Sequence, residues 1–335
     1  MTFVPPEDPA TRRAVTRTLA MLHRGRRFVL TAHRGPDGDG LGSALALAGL
    51  LRALGKQAQV AADGGVPARL AFLPGASAVV DRLERRWRDF DTLIVLDSGS
   101  LDRCGWVADR LPSPLRIINI DHHASNDHFG DHAWVEPHLG SVGEMVYRLV
   151  RGARVGVQRT TAICLYVAMV SDNGSFSYSN TVPYSHFIAA DLLRHGVKPD
   201  WVADRLVNSR SPGELLLQAV AIRRMRQSRD GRIAWTTFPR SVCRRAGAYP
   251  EESQEYVSLL RSMRGVSLAI LLRDAREPGK VKVSLRSDAG SNCMHLARKF
   301  GGGGHARAAG CTLPGPLASA ERRVIRAALE LYRSR

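Results

Sequence analysis

The sequence contains no C-x-x-C pair, and its five cysteines (104, 164, 243, 293 and 311) are odd in number and scattered. That spacing indicates neither a disulfide framework nor a cysteine-ligated structural zinc, and it fits reduced thiols in a reducing compartment. Long apolar runs are missing too. The longest, near Leu41 to Leu51, falls well short of the ~20 residues that a membrane-spanning helix needs. The opening residues are polar and proline-rich rather than signal-like, so a cytoplasmic protein without membrane association is expected. No internal repeat or low-complexity tract is visible. Lysine is scarce, at positions 56, 198, 280, 282 and 299 only, among 48 basic residues. Arginine supplies the rest and brings the net charge to +17. Such a charge favours anionic partners. An arginine-rich composition spread over solvated helix faces explains it equally well.

At 335 residues the chain is long enough for two domains with buried cores. Short apolar runs at 27–32, 57–61, 92–96 and 115–120 read as strands, and 41–54 as a helix. Alternation of this kind predicts a parallel sheet covered by helices. Beyond residue 140 the pattern is helical, over 141–151, 159–170, 184–194, 199–206 and a bridging helix near 213–227. From Arg232 onward, strands at 232–238, 266–272 and 280–286 alternate with helices near 251–263, 291–300 and 317–333. The expected fold class is therefore α/β, with two domains. A larger N-terminal domain, 12–206, has a parallel sheet flanked by helices. A linker with the bridging helix, 207–230, leads to a smaller C-terminal α/β domain with a mixed sheet, 231–335. The first ten residues are expected to fray.

Acids and imidazoles stand where the strands of the first domain end. The segments are His33-Arg34-Gly35-Pro36-Asp37-Gly38-Asp39, then Asp97-Ser98, then Asp121-His122-His123. A fourth acid, Asp172, follows the apolar stretch 162–170. In open α/β sheets, ligands bind outside the carboxyl ends of the strands. Each group also has an ordinary structural use. Asp37 or Asp39 can cap the helix from Leu41. Asp97 can make an Asx-turn, and Asp172 can belong to a plain helix-ending turn. Capping does not account for His33, nor for so many titratable groups together. A mixed oxygen and imidazole set suits Mn²⁺ or Mg²⁺ better than zinc. Two dications ~4 Å apart repel by about four times the ~4 kcal/mol of a unit-charge pair at a dielectric near 20. Asp37, Asp39, Asp97 and Asp172 would balance them, with one carboxylate between the ions. Such a pair activates water and stabilises in-line displacement at phosphorus.

These segments resemble the DHH phosphoesterase superfamily, named for its Asp-His-His triplet. The first matches the family's His-x-x-x-Asp-x-Asp pattern followed by Gly-Ser, here Gly42-Ser43. The second is Asp97 with Asp102-Arg103 downstream. The last, Ser171-Asp172-Asn173-Gly174-Ser175-Phe176 with Asn180-Thr181, is similar to the family's Asp-x-Gly-x-Phe and Asn-Thr. The resemblance implies two divalent cations, Mn²⁺ foremost and Mg²⁺ as the other choice. One would be bound by His33, Asp37 and Asp97, the second by Asp39, Asp97, His122 and Asp172, so that Asp97 bridges. Asp121 would orient an imidazole, and His123 would contact the phosphoryl oxygen or assist the leaving group.

Gly301-Gly302-Gly303-Gly304-His305, with Ala308-Ala309-Gly310, is the other strong signal. No Lys-Ser/Thr follows it, which excludes a Walker loop. Successive glycines allow close backbone approach and can form an anion nest. The segment resembles the glycine-rich motif of the DHH-associated C-terminal domain, with an arginine on the preceding strand, Ser284-Leu285-Arg286-Ser287. The resemblance implies that Arg286, Ser287, Asn292, Gly302, Gly303, Gly304 and His305 hold a nucleotide phosphate or base. Within the superfamily, the length and two-domain plan are similar to the oligoribonuclease/pAp-phosphatase branch, the nanoRNases. That branch implies short RNA and 3′-phosphoadenosine 5′-phosphate (pAp) as substrates, 5′-mononucleotides and AMP as products, and a possible homodimer. A cyclic-dinucleotide phosphodiesterase and a non-catalytic RNA- or nucleotide-binding protein are the alternatives.

Overall fold

The structure, a computed structural model, describes residues 8–82, 89–109, 115–248 and 256–332. Strands β1 (Arg27–Thr31), β2 (Gln57–Val60), β3 (Thr92–Leu96), β4 (Arg116–Asp121) and β5 (His132–Val135) pair in the order β2-β1-β3-β4-β5. Every pairing is parallel. β3 is buried at all its positions and reads as the unbroken run Thr-Leu-Ile-Val-Leu. A strand covered on both faces has no reason to alternate.

The helices of this first unit, Met1–Ser209, are α1 (Pro9–Arg24), α2 (Gly38–Ala53), α3 (Trp106–Asp109), α4 (Val142–Gly152), α5 (Arg159–Asp172), α6 (Pro183–Arg194) and α7 (Pro199–Leu206). Residues 1–7 of the start expected to fray lie outside the described residues, and α1 begins just after them, at Pro9. Pro9 opens it and the Asp8 carboxylate accepts the Ala10 amide at 3.1 Å. Thr11, Val15, Thr18 and Leu22 are its buried face. α2 also begins earlier than expected, at Gly38 rather than Leu41. Its glycines are there for packing. A Cβ on Gly38 would overlap the Ser171 hydroxyl, and one on Gly42 would stand 2.6 Å from the Cys164 carbonyl oxygen. α2 and α5 therefore run close together, which brings Asp172 toward the strand ends.

The second unit is Arg210–Arg335. It holds α8 (Pro212–Arg223), β6 (Arg226–Gln227), β7 (Ile233–Phe238), α9 (Arg240–Arg245), α10 (Tyr256–Arg261), β8 (Leu268–Asp274), β9 (Lys280–Ser287), α11 (Met294–Arg298), β10 (Gly303–Gly304), β11 (Ala308–Pro314) and α12 (Leu317–Leu331). Its mixed sheet has the order β10-β11-β9-β8-β7-β6, and only β7 and β8 are parallel. The helix expected over 213–227 stops at Arg223, because Arg226 and Gln227 pair antiparallel with β7. The beginning of the helix expected at 251–263 lies outside the described residues. Residues 308–314, given no element by the sequence, form β11, paired along its length with β9. All five cysteines are buried and free.

Candidate metal centre

β2 lies on one side of β1 and β3 on the other, so the chain changes direction across the sheet beside β1. The crevice at such a switch point is where α/β sheets bind ligands. His33 and Asp37 leave β1 there, and Asp97 leaves β3. The His33 Nδ1–H donates to the Arg34 carbonyl at 3.1 Å, so Nε2 is the nitrogen left facing the acids. It stands 3.8 Å from Asp97 Oδ2 and 4.0 Å from Asp37 Oδ2. Asp37 caps α2 as well, its Oδ1 accepting the amides of Asp39 at 3.0 Å and Gly40 at 3.1 Å. One oxygen serves the helix and the other faces His33.

Asp39 lies in the first turn of α2 and is buried. Its Oδ2 accepts the Val142 amide at 2.8 Å, and its Oδ1 accepts the Gly143 amide at 2.9 Å and the Ser43 hydroxyl at 3.1 Å. Burial pushes its carboxyl up to about 8, with Asp172 and Asp37 adding to the shift and His122 opposing it. His122 donates from Nδ1 to the Leu139 carbonyl at 3.2 Å. Its Nε2 then faces Asp97 Oδ1 and Asp172 Oδ2, both at 3.7 Å, and Asp39 Oδ2 at 3.9 Å. Asp172 ends α5, and its Oδ2 accepts the Asn180 side-chain amide at 2.9 Å.

Asp97 faces both groups. It sits at a φ of 54°, in the left-handed region where few residues other than glycine settle. Its amide donates to the Ile120 carbonyl at 3.1 Å and so ties the end of β3 to β4. Burial, then Asp39 and Asp37, hold its carboxyl well above the ordinary range.

Two trios result, His33 with Asp37 and Asp97, and Asp39 with His122 and Asp172. In each, the donor atoms lie within 4.8 Å of one another. Separations of 3.7–4.0 Å are too long for hydrogen bonds. Donors that share an ion at about 2.1 Å stand roughly 3.0 Å apart when adjacent and roughly 4.2 Å when opposite. Carboxylates gathered in this way, with imidazole nitrogens turned toward them, fit a divalent cation in each trio. Asp121 with Asp97 and His123 makes a further converging set. Both oxygens of Asp121 are committed, however, Oδ1 to His123 Nδ1 at 2.8 Å and Oδ2 to the Asn126 amide at 2.6 Å. Burial works against the charge on Asp121, but these bonds outweigh it and hold its carboxyl below the usual range.

In the second unit, Arg286, Ser287, Asn292 and the glycine segment come together around the end of β9. The Ser287 hydroxyl bonds the carbonyls of Ala306 at 2.9 Å and Ser291 at 3.0 Å. Asn292 Oδ1 accepts the Met294 amide at 3.0 Å. The expected anion nest is corrected in part. The amides of Gly301, Gly302 and His305 donate to Arg298, Ala297 and Ala308, so these three are turned inward. Gly302 is glycine for packing, since a Cβ there would overlap the Gly310 carbonyl and lie 2.5 Å from Cys311 Cβ. Around Gly303 a Cβ would meet nothing within 4 Å. Gly302→Ala should therefore cost about 1–3 kcal/mol by overpacking, and Gly303→Ala about 0.5 kcal/mol or less. Thermal unfolding of the two variants checks this. A Gly303→Ala protein of normal stability but raised KM would place a ligand against that glycine.

Of the supports behind the acids, only Ser43 stands in a motif, the Gly-Ser that follows Asp39. Asn126 and the amides of Val142 and Gly143 carry no pattern of their own. Asn126 follows Asp121 by five residues, which marks nothing on a strand or helix face.

Residues 27–169 match the DHH family N-terminal domain, and residues 237–334 match the DHHA1 domain. A Thermus thermophilus protein named bifunctional oligoribonuclease and PAP phosphatase NrnA is 37% identical over 304 residues, covering 90% of this chain and 89% of its own. A Bacillus subtilis protein of the same name is 26% identical over 289 residues, covering 85% of this chain and 89% of its own. Among solved structures, an exopolyphosphatase-related protein from Bacteroides fragilis superposes with a TM-score of 0.86 at 28% identity, covering 96% of each chain. With a relative this similar along nine-tenths of its length, and both domain types in order, the chain belongs to the DHH family.

Proposed function

We propose that this protein is a metal-dependent phosphoesterase that cleaves short oligoribonucleotides to 5′-mononucleotides and converts pAp to AMP. The names of its full-length relatives support the substrate classes. The observation that carries the chemistry is the two-sided placement of the buried Asp97, with Oδ2 at 3.8 Å from His33 and Oδ1 at 3.7 Å from His122. In this reading His33, Asp37 and Asp97 hold one cation, and Asp39, Asp97, His122 and Asp172 hold the other. Mn²⁺ is the ion of choice, since imidazole and carboxylate donors occur together. When bound, such a pair supplies Lewis acidity toward phosphoryl oxygens and acidifies water.

The chain's own groups do the rest. Asp121 remains ionised and holds the His123 proton on Nδ1, so that Nε2 is presented to a phosphoryl or leaving oxygen. Arg286 suits a phosphate because its guanidinium can bond two oxygens at once. Asn292 and His305 supply polar groups for the rest of a nucleotide. A non-catalytic RNA binder fits less well, because a knot of buried carboxylates repels a polyanion unless cations compensate it.

The test is a Mn²⁺-supplemented hydrolysis panel with a 5′-labelled dinucleotide, a labelled five-mer, pAp, linear pApA and cyclic di-AMP. Release of mononucleotides from the short RNAs and of AMP from pAp is expected, abolished by chelator. Preferential opening of cyclic di-AMP would replace this reading with a cyclic-dinucleotide phosphodiesterase. No metal-dependent release from any substrate would leave the binder.

A further inference from the structure

One short segment, Leu139–Gly143, bonds two donors of the second trio directly and reaches the third, Asp172, through Asn180. The Leu139 carbonyl accepts from His122 Nδ1 at 3.2 Å. The Gly140 carbonyl accepts the Asn180 side-chain amide at 2.8 Å, and that same amide reaches Asp172 Oδ2 at 2.9 Å. The amides of Val142 and Gly143 bind Asp39. A displacement of this segment would therefore disturb His122, Asp172 and Asp39 together.

What fixes the segment is an acid that the proposed chemistry does not use. Glu144, in the first turn of α4, is fully buried. Ser141 caps α4 by accepting the Glu144 amide at 3.2 Å. The Glu144 carboxylate turns back across the segment. The Ser185 hydroxyl, on α6, donates to its Oε1, and the carboxylate packs close against Gly140. A Cβ on Gly140 would stand 2.6 Å from Oε1, so only glycine allows this approach. On the far side Arg148 lies 3.8 Å from Oε2, and its guanidinium is stacked 4.2 Å over the Tyr184 ring. Burying a carboxylate is costly unless hydrogen bonds and a countercharge compensate it. Here the partners come from the segment, from α6 and from α4 itself, so the acid joins three parts of the unit, while burial still holds its carboxyl above the ordinary range.

We infer that Glu144, through Gly140 and Ser185, is a positioning residue that sets the geometry of Asp39, His122 and Asp172 for their cation. The inference rests on the proposed metal centre. Loss of a group that orients metal ligands typically weakens the metal by about 10–100-fold. The expected result is that Glu144→Gln and Ser185→Ala fold normally and bind one of two Mn²⁺ ions about 10–100-fold more weakly in calorimetric titration of the chelator-stripped protein. Their kcat at low Mn²⁺ should fall and recover in excess Mn²⁺, with KM for pAp unchanged. Should Glu144→Gln not fold, Ser185→Ala carries the comparison, since it removes no charge and only two hydrogen bonds, the one to Glu144 and the one from the Val182 amide at the start of α6. Folded variants that take up both ions as tightly as the wild type would overturn the inference and leave the metal centre standing. A wild-type protein that binds no Mn²⁺ would overturn both.

Discussion

Asp97→Asn should fold and yet turn over substrate about a thousandfold more slowly at every Mn²⁺ concentration, a loss of roughly 4 kcal/mol in transition-state stabilisation. The two halves of this expectation come from different properties of one residue. Asp97 adopts a φ of 54°, and asparagine is among the few residues that tolerate that region, so the backbone should be kept. Volume is kept as well. What disappears is the charge that faces both trios, and a neutral amide cannot screen two dications from each other. Without metal, the sign reverses. Burial, with Asp39, Asp37, Asp121 and Asp172 adding to it, holds the Asp97 carboxyl well above its ordinary range. Its charge is then a liability, and removing it should leave the metal-free variant as stable as the wild type or more so. Rates across a Mn²⁺ titration, paired with melting curves in chelator, test both halves. A variant that regains full rate at high Mn²⁺ would mean that Asp97 does not bridge.

How much of this was legible beforehand follows from where each signal lies. β1 and β3 announce themselves as near-continuous apolar runs, and β4 does so apart from the buried Asn119; an Asp or His after each breaks the run sharply. β5 did not. His132–Val135 is short, opens on a polar residue, and gains its place by pairing with β4. β11 hides for a related reason. Ala308-Ala309-Gly310-Cys311 has little intrinsic strand preference, and pairing with β9 decides its state. Gly38 and Gly40 fall before the helix expected from residue 41, whereas they belong to it, because Ser171 of α5 crowds Gly38, Ala32 and Asp97 crowd Gly40, and local preference cannot show that. In the candidate site, the acids and imidazoles were legible because they are titratable groups in odd places. The segment 139–143 was not, since most of its contributions are backbone carbonyls and amides, which any sequence offers.

Removing metal should matter far more at pH 8 than at pH 5. Burial raises the Asp39 carboxyl to about 8 in the fold, against an unfolded value near 4. The folded state therefore keeps a proton that the unfolded chain releases, and stability declines as pH rises across that interval. Asp97 and Asp172 are shifted upward as well, again with burial as the largest cause. His122 is raised despite its burial, by Asp172 and Asp39, so its contribution is present at low pH and also lost as pH rises through its folded value. All four push the same way in the metal-free protein. Asp37 and Asp121, shifted downward, lose their contribution only in more acid solution. Bound cations take the place of these protons. Metal should thus bind more tightly as pH rises and release protons on binding. At a thousandfold excess over Kd, binding stabilises by about 4 kcal/mol, which in a unit of ~200 residues raises Tm by roughly 8–16 °C. Melting curves with Mn²⁺ and with chelator, at pH 5 and pH 8, isolate the effect, since groups elsewhere in the chain titrate alike in both and cancel in the difference. A gap that is absent at pH 8, or wider at pH 5, would show that the carboxylates at the ends of these strands do not share a cation.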